Sequence, residues 1–180
     1  KDDVLNKTVH QSASLHDILD SSLTLKDDTW NCTIIPYDGE ENGTNTSLNV
    51  TIQNTPPENA VPTINSSQGT NQSFEDLKCY SQLLDVDNDD MTVNVEWYKD
   101  GILNITEDYN NGGSNYPNGT QFEATLNFEN TSLNDAWKCG MEVCDTELNC
   151  SSFINSSNLT IIDIVSPDFQ NAVNTSINFR

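Results

Sequence analysis

The chain repeats itself at long range. Lys1-Asp2-Asp3-Val4-Leu5-Asn6-Lys7-Thr8 returns as Lys99-Asp100-Gly101-Ile102-Leu103-Asn104-Ile105-Thr106, with five identities and a Val/Ile exchange. Asp28-Thr29-Trp30-Asn31-Cys32 returns as Asp135-Ala136-Trp137-Lys138-Cys139, and Asn59-Ala60-Val61 as Asn171-Ala172-Val173, each of the last pair following a proline segment. The offsets of 98, 107 and 112 residues define a unit of about 100 residues. A chain of 180 residues then holds one whole unit and parts of two more. The expected division is 1–56 as the C-terminal part of one module, 57–164 as a complete module, and 165–180 as the start of a further module or a donor strand.

Alternation, not helical periodicity, runs through the complete unit, so the expected class is all-β. Met91 to Lys99 turns Val93, Val95 and Trp97 to one face and Thr92, Asn94 and Glu96 to the other. Gln121 to Phe128 does the same with Phe122, Ala124, Leu126 and Phe128. Asn, Gly, Asp and Ser clusters separate these runs, as turns require.

Fourteen Asn-X-Ser/Thr triplets crowd into the chain, at Asn6, Asn31, Asn42, Asn45, Asn49, Asn65, Asn71, Asn104, Asn118, Asn130, Asn149, Asn155, Asn158 and Asn174. With 25 Asn and 35 Ser plus Thr, about five would arise by chance. A sugar needs its asparagine at the water, and in Leu48-Asn49-Val50-Thr51-Ile52 a half-buried strand turns Asn49 and Thr51 outward. Asn158-Leu159-Thr160-Ile161 and Trp30-Asn31-Cys32-Thr33 keep that phase, the latter placing Trp30 and Cys32 on the buried face.

Cys79, Trp97 and Cys139 resemble the Cys, Trp and Cys of strands B, C and F in immunoglobulin domains. Trp97-Tyr98-Lys99-Asp100-Gly101 is similar to the end of strand C in that superfamily, and Asp135-Ala136-Trp137-Lys138-Cys139 to its strand F motif, with Trp137 where a tyrosine usually makes the corner. The resemblance implies tandem immunoglobulin-like β-sandwich modules, the first and last incomplete, with Trp30, Trp97 and Trp137 in the core. It implies a Cys79–Cys139 bridge and a Cys144–Cys150 bridge across the F-to-G hairpin. The alternative, Cys139 with Cys150 and Cys79 with Cys144, is the weaker pairing. Cys32 then pairs with a cysteine upstream of Lys1 or stays free because another chain completes its module.

The segment from Trp30 to Pro57, with Ile35-Pro36-Tyr37-Asp38-Gly39 and Val50-Thr51-Ile52-Gln53-Asn54-Thr55-Pro56-Pro57, resembles the repeat ends of large immunoglobulin-like surface proteins of archaea. That resemblance implies a glycosylated surface or fibre-forming protein and no enzyme.

Charge narrows the partners. Seven Lys plus Arg against 28 Asp plus Glu give a net charge of −21, which repels nucleic acid phosphates and anionic lipid. Adaptation to high salt or plain solubility would produce the same balance. No apolar run reaches the about 20 residues of a membrane-spanning helix, so no membrane insertion is expected in this segment. The five cysteines suit an oxidising compartment, which places the chain outside the cell or on its surface.

Site chemistry is sparse. Asp85, Asp87 and Asp89 alternate through Asp85-Val86-Asp87-Asn88-Asp89-Asp90 and could gather around calcium, or form only a polar turn; no cofactor is required. His10 and His16 lack metal-ligand spacing, and no catalytic constellation emerges. The expected partners are covalent N-linked glycans and copies of the chain itself, in a stalk, pilus or fibre, with strand exchange as one route to assembly. The rival is an adhesin that binds a carbohydrate or protein through loops at one end of the sandwich, with Tyr109 and Tyr116 as contacts.

Overall fold

A computed structural model of the protein describes Leu5, residues 7–9 and residues 16–163. Ten strands follow in chain order: β1 (Thr29–Ile34), β2 (Thr46–Thr51), β3 (Thr63–Ser66), β4 (Leu77–Gln82), β5 (Met91–Lys99), β6 (Ile102–Tyr109), β7 (Gln121–Leu126), β8 (Ala136–Asp145), β9 (Ile154–Asn155) and β10 (Leu159–Thr160). Helical structure among the described residues is confined to three single 3₁₀ turns. The class is all-β.

Two antiparallel sheets make the sandwich. One has the order β3-β4-β7; the other has β10-β8-β5-β6, with β9 also paired to β8. The expected alternation of β5 holds along its whole length, burying Met91, Val93, Val95 and Trp97. Opposite it, Leu77 and Cys79 of β4 and Phe122, Ala124 and Leu126 of β7 close the core, while Trp137, Cys139, Met141 and Val143 of β8 bury the same face as β5. The strand order and the B-to-F bridge are those of an immunoglobulin-like sandwich.

Cys79 joins Cys139 across the two sheets, at a sequence separation of 60, which stabilises by about 4 kcal/mol on the loop-entropy account. Cys144 joins Cys150 at a separation of six, pinning the turn after β8.

Local chemistry explains the connections. Asp100 and Gly101 both have positive φ, 52° and 81°, so β5 and β6 meet in the tight two-residue turn for which Asp-Gly is suited. The register between them slips at Trp97/Tyr98, where Trp97 faces Ile105 and Tyr98 faces Leu103, leaving Asn104 as the extra residue of a bulge. Gly140 lets the Phe153 ring lie on the middle of β8; a Cβ there would stand 2.2 Å from the ring.

Phe128 corrects the expected length of β7. The strand stops at Leu126, because the Asn127 side chain accepts the Glu129 N–H and starts a 3₁₀ turn over Phe128–Asn130. Phe128 is therefore 41% exposed, not buried. At the β8 corner the Trp137 indole is buried and its N–H has no partner. Lys99 ties that corner instead, bonding Asp135 at 2.7 Å and lying over the Trp137 ring.

Before the sandwich lies a separate hairpin, β1 with β2. Its faces sort cleanly. Thr29 meets Thr51, Asn31 meets Asn49 and Thr33 meets Ser47 on the polar side; Trp30 meets Val50 and Cys32 meets Leu48 on the apolar side. Parity is as expected, but burial is not. Trp30 is 9% exposed while Leu48 is 75% exposed, and Cys32 is an exposed free thiol. Burial on this apolar side stops at Trp30, so alternation alone leaves Leu48, Val50 and Cys32 in water.

Candidate functional site

Two features carry the chemistry of this surface: the distribution of the sequon asparagines, and a polar junction between the hairpin and the sandwich. Asn6, Asn174, His10 and residues 165–180 lie outside the described residues.

Ten of the twelve described sequon asparagines are exposed: Asn31, Asn42, Asn45, Asn49, Asn65, Asn104, Asn130, Asn149, Asn155 and Asn158. Strand parity causes this at Asn31, Asn49 and Asn65, each of which alternates with an inward apolar neighbour or faces its strand partner on the polar side. The bulge does it at Asn104. Asn158 precedes buried Leu159, which with Ile161 enters the core.

Asn71 and Asn118 differ, being half-buried. Asn71 has φ 59°, a left-handed position that Asn tolerates, and its backbone N–H donates to Ser66 Oγ at 2.8 Å. Asn118 braces the loop before β5: its Oδ1 accepts the Asp85 N–H at 2.9 Å and its Nδ2 donates to Asn88 at 3.1 Å. Triplet spacing cannot distinguish such a bracing asparagine from a free one.

Buried Glu75 organises the loop after β3, which carries Asn71. Burial pushes its carboxyl up, but hydrogen bonds from the Ser66 and Thr70 hydroxyls and the Gln68 and Thr70 amides outweigh this and hold it at about 2. No sequence signal marked this residue.

At the junction the linker runs between two loops of the sandwich. Asn54 Nδ2 donates to Asp145 at 2.6 Å, the Thr55 N–H to Asp87 at 2.7 Å, and the Glu58 N–H to the Leu84 carbonyl at 2.9 Å. Lys26, from the turn before β1, reaches both oxygens of Asp89 at 2.6 and 2.7 Å and Glu147 at 2.8 Å. Those two carboxylates, Asp89 first, hold its ammonium well above the usual lysine range. The structure brings Asp85, Asp87 and Asp89 together, with one carboxylate oxygen of each within 4.8 Å of the others.

Tyr109 and Tyr116 are both half-buried. Both pack edge-on against buried Phe122, with ring centroids 5.2 and 5.3 Å away, and the Tyr109 hydroxyl donates to Glu107 at 2.8 Å. They belong to the margin of the core. A shallow groove of about 330 Å³ crosses the outer face of β5, β6 and β8, lined by Tyr109 together with Thr92, Asn94, Asp108 and Glu142 among others. No helix among the described residues is long and apolar enough to cross a membrane.

Comparison with protein-family models finds no match, and comparison with curated proteins finds none either. Among solved structures the chain is similar to the PKD domain of an M14-like peptidase from a Thermoplasmatales archaeon, at 18% identity and a TM-score of 0.43, over 61% of this chain and 99% of that one. It is also similar to domains d3-d4 of the rat CD45 extracellular region, at 8% identity and a TM-score of 0.46, over 87% of this chain and 76% of that one.

Proposed function

We propose that this chain is a glycan-bearing extracellular structural module, part of a stalk, pilus or fibre, whose sequon asparagines are the attachment points. The observation that carries the reading is the exposure of ten of the twelve described sequon asparagines, spread over the hairpin and the sandwich alike. Two disulfides support an oxidising compartment. A sugar on Asn104 would also guard β6, the edge of its sheet, against pairing with another chain. In this reading the protein performs no catalysis, and its surface chemistry is covalent decoration. The likeness to archaeal surface proteins in the Trp30–Pro57 segment fits the same role.

Assembly follows from the hairpin. Beside covered Trp30, the side chains of Cys32, Leu48 and Val50 stay exposed on the same side, and a strand from a second copy would cover them, with residues 165–180 as the donor. Head-to-tail exchange of this kind propagates without closing, giving a filament. The test is intact mass of native material before and after chemical deglycosylation, together with its sedimentation. A mass excess of several glycans and a polymeric species support the proposal; an unmodified monomer overturns it.

The outer groove favours one second reading, carbohydrate recognition. Asn94 Oδ1 is buried there without a partner, beside the acceptors of Asp108 and Glu142. Binding to a glycan array that is abolished by Asp108→Ala supports that reading, and binding unchanged by it removes it.

A further inference from the structure

The buried carboxylates of this protein are not alike. Asp145 has both oxygens satisfied: Oδ1 accepts the Glu147 and Asn149 N–H groups, and Oδ2 accepts Asn54. Glu75 likewise uses both, through Thr70 and Gln68. Asp85 does not. It is 4% exposed, its Oδ1 accepts the Asp87 and Asp89 N–H groups at 2.8 and 3.3 Å, and its Oδ2 is buried with no partner. A carboxylate oxygen sealed from water without a donor is costly. With three carboxylates converging within 4.8 Å, the cost calls for a cation.

We propose that Asp85, Asp87 and Asp89 bind a calcium ion, and that this ion locks the hairpin onto the sandwich. Calcium holds oxygens at about 2.3–2.6 Å, so three oxygens within 4.8 Å of one another reach a common ion with a movement of at most about half an ångström. Magnesium, with its shorter bonds and strict octahedron, fits less readily. Carboxylates fill part of the shell and water the rest.

Coupling to the hairpin comes from shared residues. Asp87 also accepts the Thr55 N–H, and Asp89 also holds Lys26, so the same side chains that face the ion carry two of the contacts from residues ahead of the sandwich. Asn54, next to Thr55, has the other buried acceptor at this junction without a partner, its Oδ1. Fixing Asp87 and Asp89 on an ion fixes what they hold. Lys26 already offsets part of this negative charge, so the ion binds against its repulsion.

The experiment titrates the full chain, first stripped with chelator, with Ca²⁺ and separately with Mg²⁺ by calorimetry, while amide exchange is read at Thr55. One site should saturate in the sub-millimolar to millimolar range of extracellular modules, with weaker Mg²⁺ binding. Asp85→Asn and, as a more exposed second change, Asp89→Asn should each weaken binding at least tenfold. Lys26→Met should tighten it several-fold. Exchange at Thr55 should slow with Ca²⁺ in the unsubstituted chain. No saturable binding up to 10 mM, or binding unaffected by both Asp substitutions, overturns the site; binding that leaves Thr55 exchange unchanged overturns the lock.

Discussion

The same five-residue motif stands in two places and meets two fates. In the sandwich, Asp135 to Cys139 puts Trp137 and Cys139 in a closed core, with Cys139 bonded to Cys79. In the hairpin, Asp28 to Cys32 leaves Cys32 exposed and free, with Trp30 covered and its neighbours Leu48 and Val50 in water. The motif therefore sets the direction of side chains, while the strands that face it set their burial. A strand's parity is local; its core belongs to the opposing sheet.

The largest effect should separate the two cysteines. Replacing Cys79 and Cys139 together by Ala should cost about 4 kcal/mol in denaturant unfolding, whereas Cys32→Ser should stay within about 0.5 kcal/mol. Measured on the dissociated monomer, an equal cost at Cys32 would show that its side of the hairpin is covered within the chain itself and would erase the contrast. Next come the leucines. Leu126→Ala, in the core, should cost about 3 kcal/mol, and Leu48→Ala under about 0.5 kcal/mol.

Acid should sharpen the contrast further, because Glu75 serves only the sandwich. Its folded carboxyl sits at about 2, below the about 4.3 of an unfolded glutamate. The stability it contributes is thus complete above pH 4.3 or so and is lost as pH falls towards about 2. Melting temperature against pH should fall less steeply over that window in Glu75→Gln than in the unsubstituted chain. Equal slopes would mean that the hydrogen bonds to Glu75 are not made.

Much of this was legible in sequence, for physical reasons that also set the limits. The nine residues of β5 alternate without interruption, so every inward side chain could be named. Gln121 to Phe128 alternates just as well, yet the Asn127 side chain bends the chain after Leu126, and a pattern of apolar residues does not register a cap. Tyr109 and Tyr116 looked like loop aromatics because nothing in their spacing reveals that Phe122 lies between them.

The junction was the least visible. Lys26 meets Asp89 across 63 residues, and Asn54 meets Asp145 across 91. Only the three Asp residues of the loop before β5 are local enough to read as a group. Their partners from ahead of the sandwich have no common pattern, and the surplus of acid over base hides which carboxylates are buried.

The central claim is that outward sequon asparagines bear sugar, and site-resolved glycopeptide mass spectrometry of native protein tests it most directly. Asn49 and Asn158, both exposed, should be occupied, and half-buried Asn118, which braces the loop at Asp85, should be occupied least. Bare Asn49 and Asn158 in native material would contradict the account.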